Sequence, residues 1–211
     1  NNNHLMRFES PELAAMYGAE FQQMYEQRLF GRKKADDVGG GPAKLGERDI
    51  AAWFSPQDGV DQKLRDALAT ADHSVHFMIF SFTHADVRDD LVALHEKGVE
   101  VVGIFDESQA RGRYSVDEAL ADAGVPTLID GNHNATGFAG GKLHHKTMII
   151  DAGTDSDPMV LGGSYNWSNN ATRYNDENFF VLPGADFVAP FGEEFCRMLK
   201  QAVPHPRMQG E

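Results

Sequence analysis

The chain has 211 residues, 41% of them hydrophobic, which is enough to bury the core of one full domain with some structure added. Its 19 basic and 32 acidic residues give a formal net charge of -13, which excludes a molecule that is basic over its whole surface, so any site for a polyanion has to be a local basic pocket. The single cysteine excludes an internal disulfide, and no apolar run approaches the roughly 20 residues of a transmembrane helix. The compartment stays open between a bacterial cytoplasm and a secreted or periplasmic location.

The N-terminal segment contains a helix signal. Ser10 as N-cap and Pro11 at the first helical position precede apolar residues at helical spacing. The stretch that follows, residues 29–49, has no apolar periodicity and carries a Gly-Gly-Gly-Pro run, which predicts a solvated linker.

From residue 50 onward, apolar runs alternate with amphipathic segments. Val75 to Phe82 and Val99 to Phe105 have the composition of buried strands, and Val125 to Ile129 follows a helix that begins with the capping box Ser115/Glu118. This βαβαβ order predicts a largely parallel sheet flanked by helices. Further strands are predicted at 143–151, 159–161 and 178–182, with a last helix over 187–199.

The end of the chain repeats its beginning, because residues 175–201 align without gaps on residues 1–27. A chance likeness of two amphipathic helices is one explanation. The other is that residues 1–28 are the closing strand and helix of a preceding homologous domain, followed by the linker 29–49, a domain over 50–203 and a tail over 204–211. Identities fall at Asn1/Asn175, Gly18/Gly192, Glu20/Glu194, Phe21/Phe195, Met24/Met198 and Gln27/Gln201.

A group of residues suited to phosphate chemistry lies on the predicted strand 143–151. His144, Lys146 and Asp151 follow the pattern H-x-K-x4-D, and the two-residue period of a strand places His144 and Lys146 on one face. Downstream, Ser164 and Asn166 supply a hydroxyl and a carboxamide two residues apart, and Glu177 precedes the last strand.

Together these motifs resemble the HKD signature of the phospholipase D superfamily, and the likeness covers about three quarters of the chain, from residue 50 to 201. The small bacterial endonucleases and the mitochondrial cardiolipin-hydrolase-like members are the most similar groups. The residues that carry the resemblance are His144-His145-Lys146, Asp151, Gly163-Ser164-Tyr165-Asn166-Trp167-Ser168, Asn175-Asp176-Glu177-Asn178, Phe54-Ser55-Pro56, Ile79-Phe80-Ser81-Phe82-Thr83, Gly98-Val99-Glu100-Val101 and Asp106-Glu107-Ser108-Gln109.

The resemblance implies an α/β fold with a mixed, largely parallel sheet, helices on both faces, and pairing with a second copy. It also implies a phosphodiesterase that needs no metal or cofactor, with His144 as the nucleophile that becomes a phosphohistidine. Glu177 then orients the His144 imidazole, and Asp151 positions the site rather than handling protons. In the same scheme, Lys146, Ser164 and Asn166 hold the phosphate oxygens.

One imidazole cannot easily be both the nucleophile and the acid for the leaving group, because attack requires it neutral and donation requires it charged. The chain has one H-x-K-x4-D motif, so a second half is expected, either an upstream domain or a homodimer mate. We favour the upstream domain because it also explains the repeat.

The substrate stays open between nucleic acid, towards which the likeness leans slightly, and the head groups of phospholipids. A third alternative is an inactive phosphate-binding module. Other side chains have simpler explanations: His145 packs opposite His144, Phe80 and Phe82 belong to the core, Phe138 and Trp167 pack near the motif, and His133 is a poor candidate for a metal ligand. Lys142, Arg111, Arg113 and Arg173 either rim the pocket or are solvated surface.

Overall fold

The computed structural model describes residues 1–35, 38–131 and 141–209. The strands run over Gly41–Leu45 (β1), Arg48–Ser55 (β2), Ser74–Ile79 (β3), Glu100–Phe105 (β4), Thr127–Ile129 (β5), Lys146–Ile150 (β6), Met159–Gly163 (β7), Glu177–Pro183 (β8) and Val203–Pro204 (β9). The α-helices run over Pro11–Tyr25 (α1), Val60–Leu68 (α2), Ala85–Glu96 (α3), Glu107–Ala110 (α4), Asp117–Asp122 (α5), Asn169–Arg173 (α6) and Ala185–Leu199 (α7). Two short 3-10 helices cover Gly31–Lys33 and Pro206–Met208.

The strands form one sheet in the order β1-β2-β8-β7-β6-β3-β4-β5-β9. The predicted βαβαβ unit is present, since β3, β4 and β5 are parallel neighbours. The sheet is mixed, as expected, but "largely parallel" was wrong: in the described residues the other strand pairs are antiparallel. The reason is the connections, because β1–β2, β6–β7 and β7–β8 are joined by links without a complete crossover unit, which favour antiparallel neighbours.

Helices cover both faces of the sheet, which confirms the predicted α/β architecture. Strand β3 shows how the sequence produces this, because its side chains alternate between two cores. Phe77 and Ile79 pack into the core beneath α2, α3 and α5, whereas Met78 packs into the core beneath α7. Fully burying a side chain of this size stabilises the fold by roughly 1.5–3 kcal/mol.

The predicted linker is partly a strand. β1 lies inside residues 29–49 and pairs with β2 along its length, with Ala43 buried. The prediction failed because a five-residue edge strand with one buried apolar side chain gives almost no periodicity. Lys34, in the same stretch, is also buried, and its ammonium group forms ion pairs with Glu20 of α1 and with Asp176.

The N-terminal segment packs on the described domain through one side only. α1 begins where expected, with Ser10 Oγ accepting a hydrogen bond from Leu13 N (3.3 Å), and Ser10 also donates to Lys44 O of β1 (2.7 Å). Residues 1–9 contain no strand, although Asn2 forms a bridge with Leu143. That residues 1–28 close a preceding domain stays a prediction.

The predicted tail is docked as far as Gln209. β9 pairs with β5, and the Nε2 atom of buried His205 lies 3.1 Å from a carboxylate oxygen of buried Asp117. Across the described residues, no helix combines the length and apolar character needed to cross a bilayer.

Candidate active site

Five of the six predicted site residues, all except Asp151, gather near the end of β3 and the start of β6. Because β6 runs antiparallel to β3, Lys146 at the start of β6 pairs with Ile79 at the end of β3. A cavity of about 730 Å³ opens there, which is within the usual size of a ligand pocket. Its polar end is lined by His144, Lys146, Ser164, Asn166, Glu177 and Asn178.

His144 lies just before β6 rather than inside a strand that starts at Leu143. Its backbone N–H donates to Asn2 O (2.9 Å), and Phe80 N donates to His145 O (2.8 Å), so both flanking segments hold this stretch extended. The expected convergence of His144 and Lys146 is present, since both side chains line the cavity and Lys146 Nζ donates to His144 O (2.9 Å).

Phe80 contributes an aromatic surface that the sequence analysis assigned to the core. Its ring lies 4.7 Å from the His144 ring and 4.8 Å from Lys146 Nζ, measured from the ring centroid. Lys142 Nζ is 5.6 Å from the same centroid. An aromatic face attracts cations and screens them from water, so Phe80 both packs and holds the ammonium groups near His144. Its position directly after a strand end was the available signal.

The charges of the site keep its two main groups in complementary states at neutral pH. Burial, and then the positive charge of Lys146, lower the pKa of His144 below its ordinary 6.5, with Asp106 opposing the shift. Burial lowers the pKa of Lys146 to about 8, while the carboxylates of Glu177 and Asp106 limit the fall. The imidazole is therefore neutral beside a lysine that still carries its proton.

Ser164 and Asn166 are presented by a tightly fixed loop after β7. Gly163 has a φ of +136°, and a Cβ there would lie 2.3 Å from Asn178 O, so this turn needs glycine. Ser164 Oγ accepts from Asn178 N (3.0 Å), and among the described residues no acceptor takes its own hydrogen, which is therefore available to a ligand. Tyr165 and Trp167 alternate with these two residues and are both buried, so Trp167 packs in the core, as expected.

Glu177 lines the cavity, and that it orients His144 stays a prediction. Its carboxylate accepts from Asn175 Nδ2 (3.0 Å), and within the described residues no hydrogen bond joins it to the His144 ring. Its influence falls instead on Lys146, whose pKa it raises.

Asp106 is a carboxylate of the site that the sequence analysis did not select. Its Oδ2 accepts from Leu143 N (3.1 Å), and its Oδ1 caps α4 by accepting from Ser108 N (3.0 Å) and Gln109 N (3.1 Å). It thus ties the loop after β4 to the residue before His144 and opposes the fall in pKa of both His144 and Lys146. Its place at the end of a parallel strand, where ligands bind in such sheets, was the missed signal.

Asp151 lies away from this group, at the other end of β6 and about 16 Å along the strand from Lys146. Its carboxylate accepts from the backbone N–H groups of Asp72 (3.0 Å), His73 (2.7 Å) and Ser74 (2.8 Å). It therefore fixes the turn into β3, which fits a positioning role and not a place among groups that touch a substrate.

The remaining candidates lie around the site. His145 is buried on the opposite side, against His4 (Nδ1 to Nδ1, 3.3 Å) and Glu194 of α7 (3.3 Å), as expected. Arg111 pairs with Glu107 at the surface, and Arg113 lies over Tyr114. Arg173 lines a separate pocket. His133 and Phe138 lie outside the described residues. Within residues 1–35, 38–131 and 141–209, no three His, Cys, Asp or Glu side chains are grouped as metal ligands would be.

Known proteins are similar to this chain in sequence and in fold. The family model described as "Cardiolipin synthase, PLD-like domain" matches residues 64–199. A mitochondrial cardiolipin hydrolase from Chlamydomonas reinhardtii is 31% identical over 133 residues, which is 63% of this chain and 54% of that protein. A phospholipase D from Rickettsia bellii is 25% identical over 146 residues, 69% of this chain and 67% of that protein.

Among solved structures, the phospholipase D family member Nuc from Salmonella typhimurium superposes with a TM-score of 0.64 at 26% identity, covering 74% of this chain and 97% of Nuc. The chain spans only about half to two thirds of the length of the cardiolipin hydrolases that it matches, between 51% and 64%. The family model covers more than half of the chain, and the chain belongs to the PLD-like domain family of the phospholipase D superfamily.

Proposed function

We propose that the chain is one catalytic half of a metal-independent phosphodiesterase that acts through a phosphohistidine on His144. The observation that carries this proposal is the cavity in which a neutral imidazole, a charged lysine, a hydroxyl and a carboxamide converge. A neutral imidazole can attack phosphorus, and cationic or hydrogen-bonding groups around it stabilise the charge that develops on the phosphate oxygens.

In the first step, a ring nitrogen of His144 attacks phosphorus and the bond to the leaving oxygen breaks, which gives a phosphohistidine and an alkoxide that must be protonated. Lys146, Ser164 and Asn166 hold the non-bridging oxygens. In the second step, water attacks the phosphohistidine and returns the imidazole. Glu177 and Asp106 keep Lys146 charged, and Asp151 positions the strand from its far end.

The shape of the cavity favours a phospholipid as substrate over a nucleic acid. Beyond the polar end, its wall is apolar and includes Met6, Phe8, Leu13, Ile50, Phe180 and Leu182. Such a wall suits a diester with a hydrocarbon part, because burial of apolar surface stabilises that complex. The net charge of -13 also disfavours a long polyanion. A nucleic acid, towards which the sequence leans, is the second candidate, and Lys142 beside His144 is the cation that favours it.

Hydrolysis of bis(p-nitrophenyl) phosphate in EDTA tests the reaction. We expect activity in the wild type and a loss of about 10³-fold or more in His144→Ala, because the nucleophile is gone. His73→Ala is the matched control, since His73 is exposed at the opposite end of β3 and β6. Equal rates in His144→Ala and the wild type would contradict the mechanism. If the wild type is inactive even with a second half present, the chain is not an enzyme of this kind, and the phosphate-binding module is the alternative that remains. Assays on cardiolipin, phosphatidylcholine, single-stranded DNA and RNA then decide the substrate.

A further inference from the structure

Residues 1–28 expose large apolar side chains while α1 buries polar ones. Leu5 is 98% exposed and Phe21 is 57% exposed. α1 instead buries Leu13 with Glu20 and Gln23, and Glu20 is held by Lys34. A helix that packs only on this domain is expected to bury its apolar stripe. The aromatic stripe of α1 comprises Tyr17, Phe21 and Tyr25. Tyr17 packs edge-on against Phe54 of this domain (4.9 Å between ring centroids), whereas the ring contacts of Phe21 in the described residues are with Tyr25 of the same helix. The C-terminal part of the stripe is therefore not covered by this domain.

The internal repeat identifies what such a stripe fits. In the gap-free alignment of residues 1–27 on 175–201, Leu5 corresponds to Phe179 of β8, and Phe21 to Phe195 of α7. Phe179 and Phe195 are core residues, 1% and 3% exposed.

Tyr17 repeats the relation, since it is 41% exposed and corresponds to Phe191, which is 8% exposed. In β8 and α7 these positions close the sheet of this domain, whereas in residues 1–28 Leu5 and Phe21 face solvent and Tyr17 is only partly covered, by Phe54. A chance likeness of two helices gives no reason for that agreement, because residue types alone carry no record of which positions are exposed in residues 1–28.

We propose that the exposed face of residues 1–28 is the docking surface for the sheet of a first PLD-like half, for which residues 1–28 supply the closing strand and helix. α1 then lies between two halves, with Glu20 and Gln23 towards this domain and its aromatic stripe towards the other. A second copy of this chain fits less well, because its own sheet is already closed by α7. A membrane surface would need apolar side chains but not this register.

The exposed face of residues 1–28 lies next to the candidate active site. The connection between that face and the reaction rests on the proposed function. Leu5 and Tyr17 line the catalytic cavity as well as the exposed face. A first half docked there reaches the mouth of the cavity, where it supplies the second imidazole that protonates the leaving alkoxide.

The repeat register dictates the experiment. The test polypeptide, called the test tandem, consists of residues 29–174 fused to the N-terminus of the complete chain 1–211. At the junction Tyr174 is followed by Asn1, where the natural sequence has Asn175. Its added half has this domain's own sequence, with residues 1–28 as its closing strand and helix. We expect a monomer with two folded halves, and slower amide exchange in residues 11–25 than in the 211-residue chain.

Phe21→Asp provides the matched comparison. In the 211-residue chain it leaves the unfolding midpoint unchanged because Phe21 is exposed, whereas in the tandem polypeptide it abolishes folding of the added half. In the control tandem, the added half ends with its own residues 175–201 in place of residues 1–28. It shows whether two halves joined in one polypeptide can fold at all. The proposal is overturned if that control folds and the test tandem does not. It is also overturned if the 211-residue chain forms a dimer or binds phospholipid vesicles and Phe21→Asp abolishes either.

A helix graft decides the case in which neither tandem folds. Residues 185–199 of the chain are replaced by the sequence of residues 11–25, so that Tyr17, Phe21 and Met24 take the places of Phe191, Phe195 and Met198. A cooperative unfolding transition supports the proposal, and loss of that transition while Phe191→Tyr alone is tolerated overturns it. All of these readouts concern folding, so failure of the proposed function would show separately, as inactivity towards bis(p-nitrophenyl) phosphate.

Discussion

In the proposed mechanism, the residues of the cavity divide into a nucleophile that must be neutral and a cation that must stay charged. Burial lowers the pKa of both His144 and Lys146, which helps the first role and limits the second. The rate with bis(p-nitrophenyl) phosphate should therefore have a bell-shaped dependence on pH. It should fall on the acid side, at a pH below 6.5, as His144 gains a proton, and it should fall above about pH 8 as Lys146 loses one.

Lys146→Arg separates these two limbs. A guanidinium keeps its charge throughout this range, so a folded Lys146→Arg enzyme should retain the acid limb and lose the fall above about pH 8. The measurement is kcat/KM against pH. An alkaline limb that does not move would mean that another group titrates there.

The buried ammonium of Lys146 also costs stability. Its pKa is lower in the folded protein than the ordinary 10.5, so the unfolded chain binds the additional proton between about pH 8 and 10.5, and stability rises with pH across that window. Lys146→Met should abolish activity yet raise the free energy of unfolding by about 1–3 kcal/mol at pH 7. Urea unfolding at pH 7 and at pH 10 measures this, and the gain should shrink at the higher pH. A less stable variant at pH 7 would contradict the penalty.

How far the site could be predicted depends on the kind of signal each residue leaves. His144, Lys146, Ser164, Asn166 and Glu177 were found because they stand at fixed spacings in one motif, and all of them line the cavity. Phe80 and Asp106 were missed as site residues because they come from other strand ends and approach the motif only through strand pairing. The hydrogen-bond partner of Glu177 could not be read at all, since it depends on side-chain geometry.

At the scale of elements, strand β6 is held at both ends by carboxylates. Asp106 acts near His144 and Asp151 acts at the far end, through three backbone N–H groups. Asp151→Ala should lower the free energy of unfolding by about 2–4 kcal/mol, because the buried N–H group of Ser74 and the part-buried N–H groups of Asp72 and His73 lose a charged acceptor. Activity per folded molecule should change little, since Asp151 does not line the cavity.

Two measurements check the positioning role of Asp151: denaturant unfolding, and kcat at denaturant concentrations below the unfolding transition. Asp151→Asn should be milder, because asparagine keeps one acceptor oxygen and tolerates the positive φ of 52° at this position. Asp155→Ala, an exposed residue of the same turn, is the control. A large fall in kcat with unchanged stability would instead place Asp151 in the chemistry.

The elements themselves were predictable in proportion to their periodicity. The strands with long apolar runs, β3 and β4, and the helix α3 between them were found, because every residue contributes to the pattern. β1 and β9 were missed because each is short, lies at an edge of the sheet and buries little, and the parallel character was overestimated because connections and not strands decide direction.

At the scale of the whole molecule, one half-site should favour substrates whose leaving group needs no acid. p-Nitrophenolate departs as a stable anion, whereas the alkoxide of a phospholipid or nucleic acid must be protonated as it leaves. The 211-residue chain alone should therefore hydrolyse bis(p-nitrophenyl) phosphate and be nearly inactive on alkyl diesters. It should also accumulate an acid-labile phosphohistidine, detectable as a burst of p-nitrophenolate, because no second imidazole activates water.

Supplying a second half should change these two activities unequally. The rate on alkyl diesters should rise by about 10²-fold or more, the usual contribution of a general acid, and the rate on the aryl diester should rise much less. The ratio of the two rates, with and without the added half, is the measurement. An equal rise in both would mean that the second half only stabilises the first, because a stabilising contact acts on every substrate alike whereas an added acid acts only where a proton is needed.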